Sequence, residues 1–223
     1  MRYVITGANR GIGLELARQA AAAGHEVIAT ARDVAKAREL AASKVSVLAC
    51  DVGSAESVRA FAAQIEGPID VLINNAGVLD GYDGFEQTDL ERALDVYNVN
   101  AVGALRVTQA LLGHVRRGGA KKLVHITSGM GSITDNGSGG AYAYRMSKAA
   151  LNMASRSLAA DLRAEGIVSV AINPGWVKTD MGGPSAQTSV TESAQGILAR
   201  IDELTLADSG EFLDFKAGKR WPF

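Results

Sequence analysis

The sequence predicts an α/β domain built on a doubly wound parallel sheet, and three observations carry that reading. Short apolar runs at 2–6, 25–30, 45–50, 69–73, 123–127, 167–172 and 211–215 read as about seven strands buried between layers. Between them, apolar residues return every three or four positions, the period of helices packed on both faces of a sheet. The first strand runs straight into Thr6-Gly-Ala-Asn-Arg-Gly-Ile-Gly13 and then a helix, the order that opens a mononucleotide-binding half.

The whole chain bounds the answer further. At 223 residues a single domain (1–223) is expected, with 1–120 mainly binding a dinucleotide and 121–223 carrying the chemistry and a short lid. Hydrophobic residues make up 47% and charged ones 21%, as in ordinary globular chains. The formal net charge is −1 and no run of Lys or Arg exceeds two, which argues against a nucleic-acid partner. No apolar run approaches the ~20 residues of a membrane span and the first residues lack the apolar core of a signal peptide, so a cytoplasmic location and no membrane partner are expected. A single cysteine, Cys50, excludes an intramolecular disulfide and reads as a small core residue. No metal is expected.

In the first βα unit, Leu14, Ala17, Ala20 and Ala21 recur at helical spacing until Gly24 ends the helix. Glycines at 7, 11 and 13 let the backbone turn and approach a pyrophosphate, whose charge the free N–H groups of the new helix can meet; Arg10 and Ile12 stand in the same loop. The second strand ends Thr30-Ala31-Arg32, where a dinucleotide's adenosine ribose arrives. A carboxylate there suits NAD and positive charge suits NADP. Arg10 and Arg32 can fork onto one phosphate, favouring NADP over NAD. Asp33 is the competing carboxylate, or the N-cap of a helix from Val34 to Leu40. The run Val45 to Cys50 reads as a strand buried on both faces, and Asp51-Val52 follows at its carboxyl edge, where an Asp can accept from the adenine amino group.

Ser54 caps a helix that buries Val58, Phe61 and Ile65 and ends at Gly67-Pro68. Strand four delivers Asn74-Asn-Ala-Gly77, with Asn75 able to tie strand ends together and Ala76 and Gly77 leaving room for a ribose. A long helical region, 88–115, keeps an apolar stripe of Leu90, Leu94, Val107, Leu111 and Leu112, interrupted by Asn98 and Asn100. Asn100 is either a solvent-facing amide or the holder of a local bulge and a water near Lys148; His114 reads as a surface residue.

The fifth strand delivers Ser128 at its carboxyl end, followed by a glycine-rich loop and a helix from about Tyr142. Tyr144 and Lys148, four apart, share one face of that helix. A phenol beside an ammonium is a proton donor whose pKa, near 10 when free, a desolvated lysine can lower into the range of a general acid. The bland alternative is a packed Tyr and a solvated Lys. The helix goes on through Ala150, Met153, Ala154, Leu158 and Leu162, an apolar face suited to a second subunit, so a homodimer or homotetramer is expected. After strand six, Pro174 fixes a turn in which Val177 and Thr179 can meet a nicotinamide carboxamide. The stretch 180–188 reads as mobile, Ser189-x-x-Glu192 as a capping box opening the last helix, and 211–215 as a final strand.

Taken in order, Thr6-Gly-x-x-x-Gly-x-Gly13, Asp51-Val52, Asn74-Asn-Ala-Gly77, Asn100, Ser128, Tyr144-x-x-x-Lys148 and Pro174-Gly175 with Thr179 resemble the short-chain dehydrogenase/reductase family over residues 3 to about 215. The stretches Asp135 to Lys148 and Pro174 to Gly183 resemble its C-factor/sniffer-type carbonyl reductases. The resemblance implies a Rossmann fold. It also implies an NADPH-dependent reductase of aldehydes or ketones, with Tyr144 giving the proton, Ser128 holding the carbonyl, Lys148 binding ribose hydroxyls and lowering the tyrosine pKa, and Asn100 supporting a water relay. Gly7, Arg10, Gly11, Ile12, Gly13, Arg32, Asp51, Val52, Asn75, Ala76, Gly77, Tyr144, Lys148, Pro174, Val177 and Thr179 are then the cofactor residues.

Two departures stand out: Thr134 to Gly140 is inserted as a polar loop over the site, and His125 stands where the family often has an asparagine. The short region after Pro174 implies a small lid and open access. A dinucleotide-binding signalling protein with incidental catalysis and an NAD-linked alcohol dehydrogenase remain the competing readings.

Overall fold

The computed structural model describes residues 1–37, 40, 45–216 and 218–223. Seven strands, β1 (Arg2–Ile5), β2 (Glu26–Ala31), β3 (Val45–Ala49), β4 (Val71–Asn74), β5 (Lys122–Ile126), β6 (Val168–Asn173) and β7 (Phe212–Asp214), form one parallel sheet in the order β3-β2-β1-β4-β5-β6-β7. The connections are helices α1 (Gly11–Ala22), α2 (Ala55–Ala62), α3 (Leu90–Tyr97), α4 (Gly103–Arg117), α5 (Tyr142–Leu162) and α6 (Val190–Glu203), joined by shorter turns. Strand side chains alternate between two cores, as the period of two requires. Ile5, Val71, Val124 and Ile172 meet Leu16 and Ala17 of α1 and Ile197 and Ile201 of α6 on one face. Val4, Leu72 and Leu123 meet Phe61 of α2, Val107 and Leu111 of α4 and Leu162 of α5 on the other. This is the Rossmann-type fold the sequence predicts.

The strand order reverses between β1 and β4, so the connections leaving their carboxyl ends diverge and open a crevice there. Asn75 closes its floor: its side-chain amide donates to Thr6 O (2.9 Å) and Gly7 O (3.1 Å), and its backbone N–H donates to Thr6 Oγ1 (3.0 Å). The sequence reading of Asn75 as a strand tie describes this contact.

Several expectations need correction. β3 lies at the sheet edge with partly exposed residues; an apolar run alone does not reveal that a strand has only one neighbour. The predicted helix from Val34 to Leu40 is, where described, a 3₁₀ turn at Val34–Lys36 capped by Asp33 Oδ1 accepting from Ala35 N at 3.0 Å; positions 38 and 39 lie outside the described residues. The helix opened by Ser54 stops at Ala62 rather than Gly67-Pro68. The region 88–115 is two helices joined by one π-helical turn at Asn98–Val102, and Leu90 (67% exposed) and Leu94 face outward rather than continuing the buried stripe of Val107 and Leu111. His114 lies at the surface as expected, partly exposed, with its ring bonded to Gly67 O at 2.7 Å. No helix among the described residues is long and apolar enough to cross a membrane.

Candidate active site

The crevice deepens into a cavity of about 1220 Å³. One end is lined by Gly7, Arg10, Gly11, Ile12, Gly13, Arg32, Asp51 and Val52, its middle by Asn75, Ala76 and Gly77, and its far end by Ser128, Tyr144, Lys148, Pro174, Val177 and Thr179. The close approach at Gly13 explains the glycine: a Cβ there would lie 2.4 Å from Asn75 Nδ2 and 2.5 Å from Gly7 O, so any side chain would push α1 off the strand ends. Arg10, at the N-cap of α1, provides no side-chain cap, and the first N–H groups of the helix open onto the cavity. Uncapped donors at a helix start facing a cavity are the chemistry an anionic pyrophosphate requires, so the residues present fit a dinucleotide.

At the far end, β5 ends at Ile126 and the chain turns so that Ser128 caps a 3₁₀ turn, its Oγ accepting from Met130 N at 3.1 Å. α5 begins at Tyr142 behind Ala141, whose φ of 46° breaks the chain direction into the helix. Tyr144 is 7% exposed and Lys148 4% exposed, with the ammonium 5.7 Å from the tyrosine ring centroid. Lys148 Nζ donates to Ile126 O at 3.0 Å, which fixes it against the strand end.

Asn100 is fully buried behind the cavity rather than lining it. The wider π-turn lets its amide donate to Val78 O (2.8 Å) and Ser147 Oγ (2.9 Å) while its Oδ1 accepts from Val78 N (2.8 Å). A Cβ on Gly77 would sit 3.3 Å from Asn100 Oδ1 and 3.5 Å from Lys148 Nζ, so these two polar groups converge on that glycine.

The electrostatics differ from the sequence expectation. Burial pushes the Tyr144 phenol up to about 12; the Ser128 hydroxyl pulls the other way and Tyr82 adds to the rise. Burial also lowers the Lys148 ammonium to about 8. Desolvation thus sets the direction for both groups, and the phenol is raised rather than lowered. His125, fully buried between Asn74 Nδ2 (3.3 Å) and Ser169 Oγ (3.4 Å), is lowered to about 4, by burial first and then by the Lys148 charge. It is a neutral polar tie beneath the site.

The model of the short chain dehydrogenase family matches residues 2–189. The chain belongs to that family. It is 50% identical over 160 residues to the C-signal of Myxococcus xanthus, covering 71% of this chain and 96% of that protein. Among solved structures, an NADPH-bound carbonyl reductase from chicken fatty liver is 34% identical with a TM-score of 0.93, covering 100% of this chain and 98% of that one. The carbonyl reductase Sniffer of D. melanogaster is 31% identical with a TM-score of 0.92, covering 100% and 99%.

Three features of this short-chain dehydrogenase escaped the sequence reading. The stretch 180–188 is tied down: Trp176 Nε1 donates to Gly182 O (2.8 Å), Lys178 N to Thr188 O (2.9 Å) and Thr188 N to Trp176 O (3.0 Å). Arg10 is paired with Asp180 of that stretch at 2.6 Å, so the guanidinium assigned to a phosphate also faces a carboxylate across the cavity. The inserted loop is clamped by Arg145, whose guanidinium donates to Gly139 O, Gly140 O, Met130 O and Ser138 Oγ. Arg10 and Asp180 are 170 residues apart and leave no local signal; the Trp176 and Arg145 contacts lie closer along the chain, to loops that carry no periodicity to reveal them.

Proposed function

We propose that the protein is an NADPH-dependent reductase of aldehydes or ketones, with Tyr144 as general acid. The observation that carries this is the buried, protonated phenol of Tyr144 beside the Ser128 hydroxyl, at the end of a cavity whose other end begins with an uncapped helix N-terminus. A reduced nicotinamide, when bound, supplies a hydride. The N–H groups at Gly11 to Gly13 would hold the pyrophosphate, Arg10 and Arg32 the 2′-phosphate, Asp51 and Val52 the adenine, and Asn75 to Gly77 with Lys148 the nicotinamide ribose. Pro174, Val177 and Thr179 would meet the carboxamide. Ser128 Oγ holds the substrate carbonyl and Tyr144 Oη donates its proton to the oxygen as negative charge develops there.

A phenol at about 12 suits this direction. The alkoxide left by hydride addition is about as basic as hydroxide, whose conjugate acid water has a pKa of ~15.7, so the proton still moves downhill to it. The reverse reaction would need a phenolate, which burial disfavours. Similarity to an NADPH-bound carbonyl reductase supports both the reaction and the cofactor. Similarity to the C-signal favours a second reading, a dinucleotide-binding signalling protein. The exposed apolar residues Leu90, Leu94, Tyr97, Met146 and Met153 on α3 and α5 support self-association through those helices.

The test is consumption of NADPH with a panel of activated ketones and aldehydes by the wild type and by Tyr144→Phe. The proposal expects turnover that falls at least about 10²-fold in the variant while NADPH still binds. Intact binding without turnover in either protein would favour the signalling reading.

A further inference from the structure

The carbonyl end of the cavity is completed by residues beyond the last strand. The turn after β7 folds back on it: Asp214 N donates to Lys219 O (3.0 Å), Leu213 pairs with Arg220 in an antiparallel bridge, and Trp221 N donates to Phe212 O (2.7 Å). This lays the Trp221 indole on Gly129, the residue after Ser128. A Cβ at 129 would lie 2.8 Å from Trp221 Cζ2 and 3.1 Å from Cε2, so glycine is required for that contact. The same loop is fixed from the other side, because Asn173 Oδ1 accepts from Gly129 N at 3.0 Å while its amide donates to Asp214 Oδ2 at 3.0 Å.

Two ammonium groups are mounted on this wall. Lys219 Nζ lies 4.5 Å from the Trp221 ring, and Lys216 Nζ lies 5.6 Å from the Phe215 ring. Phe215 packs on Gly175, beside the Pro174 turn, where a Cβ would lie 2.7 Å from its Cε1. Lys216, Lys219, Phe215 and Trp221 all line the cavity. Among the described residues neither ammonium has a carboxylate partner, whereas Arg220 of the same turn is paired with Glu211 at 3.4 Å. The nearby Asp214 carboxylate is taken up by Asn173 and by the backbone N–H of Lys216. A cavity of about 1220 Å³ also exceeds the ~300–1,000 Å³ of most small-molecule sites, as a pocket shared by a dinucleotide and a second molecule should.

We infer that Lys216 and Lys219, carried beside Phe215 and Trp221, form an anion-binding subsite, and that the substrates taken here are carbonyl compounds bearing a carboxylate beyond a flat apolar spacer. This rests on the carbonyl-reduction reading. The chemistry is unchanged: hydride from NADPH adds to the carbonyl carbon, the π pair becomes the oxygen lone pair that takes the Tyr144 proton, NADPH leaves as NADP, and the carboxylate only binds.

The experiment compares 4-formylbenzoate with its methyl ester at saturating NADPH. The wild type is expected to favour the acid in kcat/KM by about three- to tenfold, the combined effect of ion pairs with two exposed lysines, and added salt narrows the ratio. The Lys216→Gln/Lys219→Gln double variant brings the ratio near one through the KM of the acid, and Lys219→Glu inverts it. A ratio near one in the wild type, or equal losses for both aldehydes in the double variant, overturns the inference. If neither aldehyde is reduced, the reductase reading is what fails, and calorimetric binding of 4-formylbenzoate then decides the subsite. Binding lost in the double variant supports it; binding that is absent or indifferent to the lysines overturns it.

Discussion

Replacing Lys148 by Met should make the ligand-free protein more stable at neutral pH while disabling the site. The ammonium is 4% exposed and burial lowers it from 10.5 to about 8. That displacement corresponds to about 3 kcal/mol of unfavourable charge burial borne by the fold when the group is protonated. Methionine removes this cost and nearly fills the volume, but it leaves Ile126 O without its 3.0 Å donor, a loss of about 1 kcal/mol. The net gain is about 2 kcal/mol, or roughly 4–8 °C in Tm for a chain of this size. The pH dependence follows from the direction of the shift. Below 8 the lysine is charged in both states and the full penalty is present. Between 8 and 10.5 the folded state releases its proton first and the penalty fades; above 10.5 it is gone. Urea unfolding of wild type and Lys148→Met across that range measures the difference directly. A variant less stable than wild type at pH 7, or a difference that does not shrink on the way to pH 11, would show that the buried ammonium carries no such penalty.

Other outcomes follow from the same contacts. Asp180→Asn frees Arg10 from its 2.6 Å partner and should tighten NADPH several-fold in a binding titration with little change for NADH; Arg10→Ala should weaken NADPH alone, and equal losses for both dinucleotides would remove the 2′-phosphate role. Gly13→Ala places a Cβ 2.4 Å from Asn75 Nδ2 and should cost roughly 1–3 kcal/mol in denaturant unfolding while abolishing dinucleotide binding. Leu94→Lys and Met153→Lys, on exposed apolar helix faces, should shift the protein toward monomer in sedimentation without lowering Tm.

How much of this was legible in the sequence depended on whether a signal was local. The glycine turn after β1, the Ser54 and Ser189 caps, and the Tyr144/Lys148 spacing are local, and the structure brings Gly7, Gly11, Gly13, Asn75 to Gly77, Ser128, Tyr144 and Lys148 to one cavity. Burial was read less well. An apolar run does not say whether a strand is central or at an edge, so β3 is less buried than its composition suggests, and helical periodicity does not say which part of an apolar stripe faces the sheet, so Leu90 and Leu94 lie outside. The expected lowering of the tyrosine by its lysine failed because spacing carries no desolvation: the face that aligns the two groups also buries both. Arg10–Asp180 and the Trp221 wall link residues that only the folded chain brings together.

If the cavity carries a hydride from a reduced nicotinamide to a carbonyl carbon while Tyr144 protonates the oxygen, deuterium from NADPH labelled at nicotinamide C4 should follow that path into the product. Label from one face of the ring is expected on the carbinol carbon of the alcohol, and Tyr144→Phe is expected to suppress the transfer while still binding the cofactor. Alcohol formed without label, or undiminished transfer in the variant, would contradict that path.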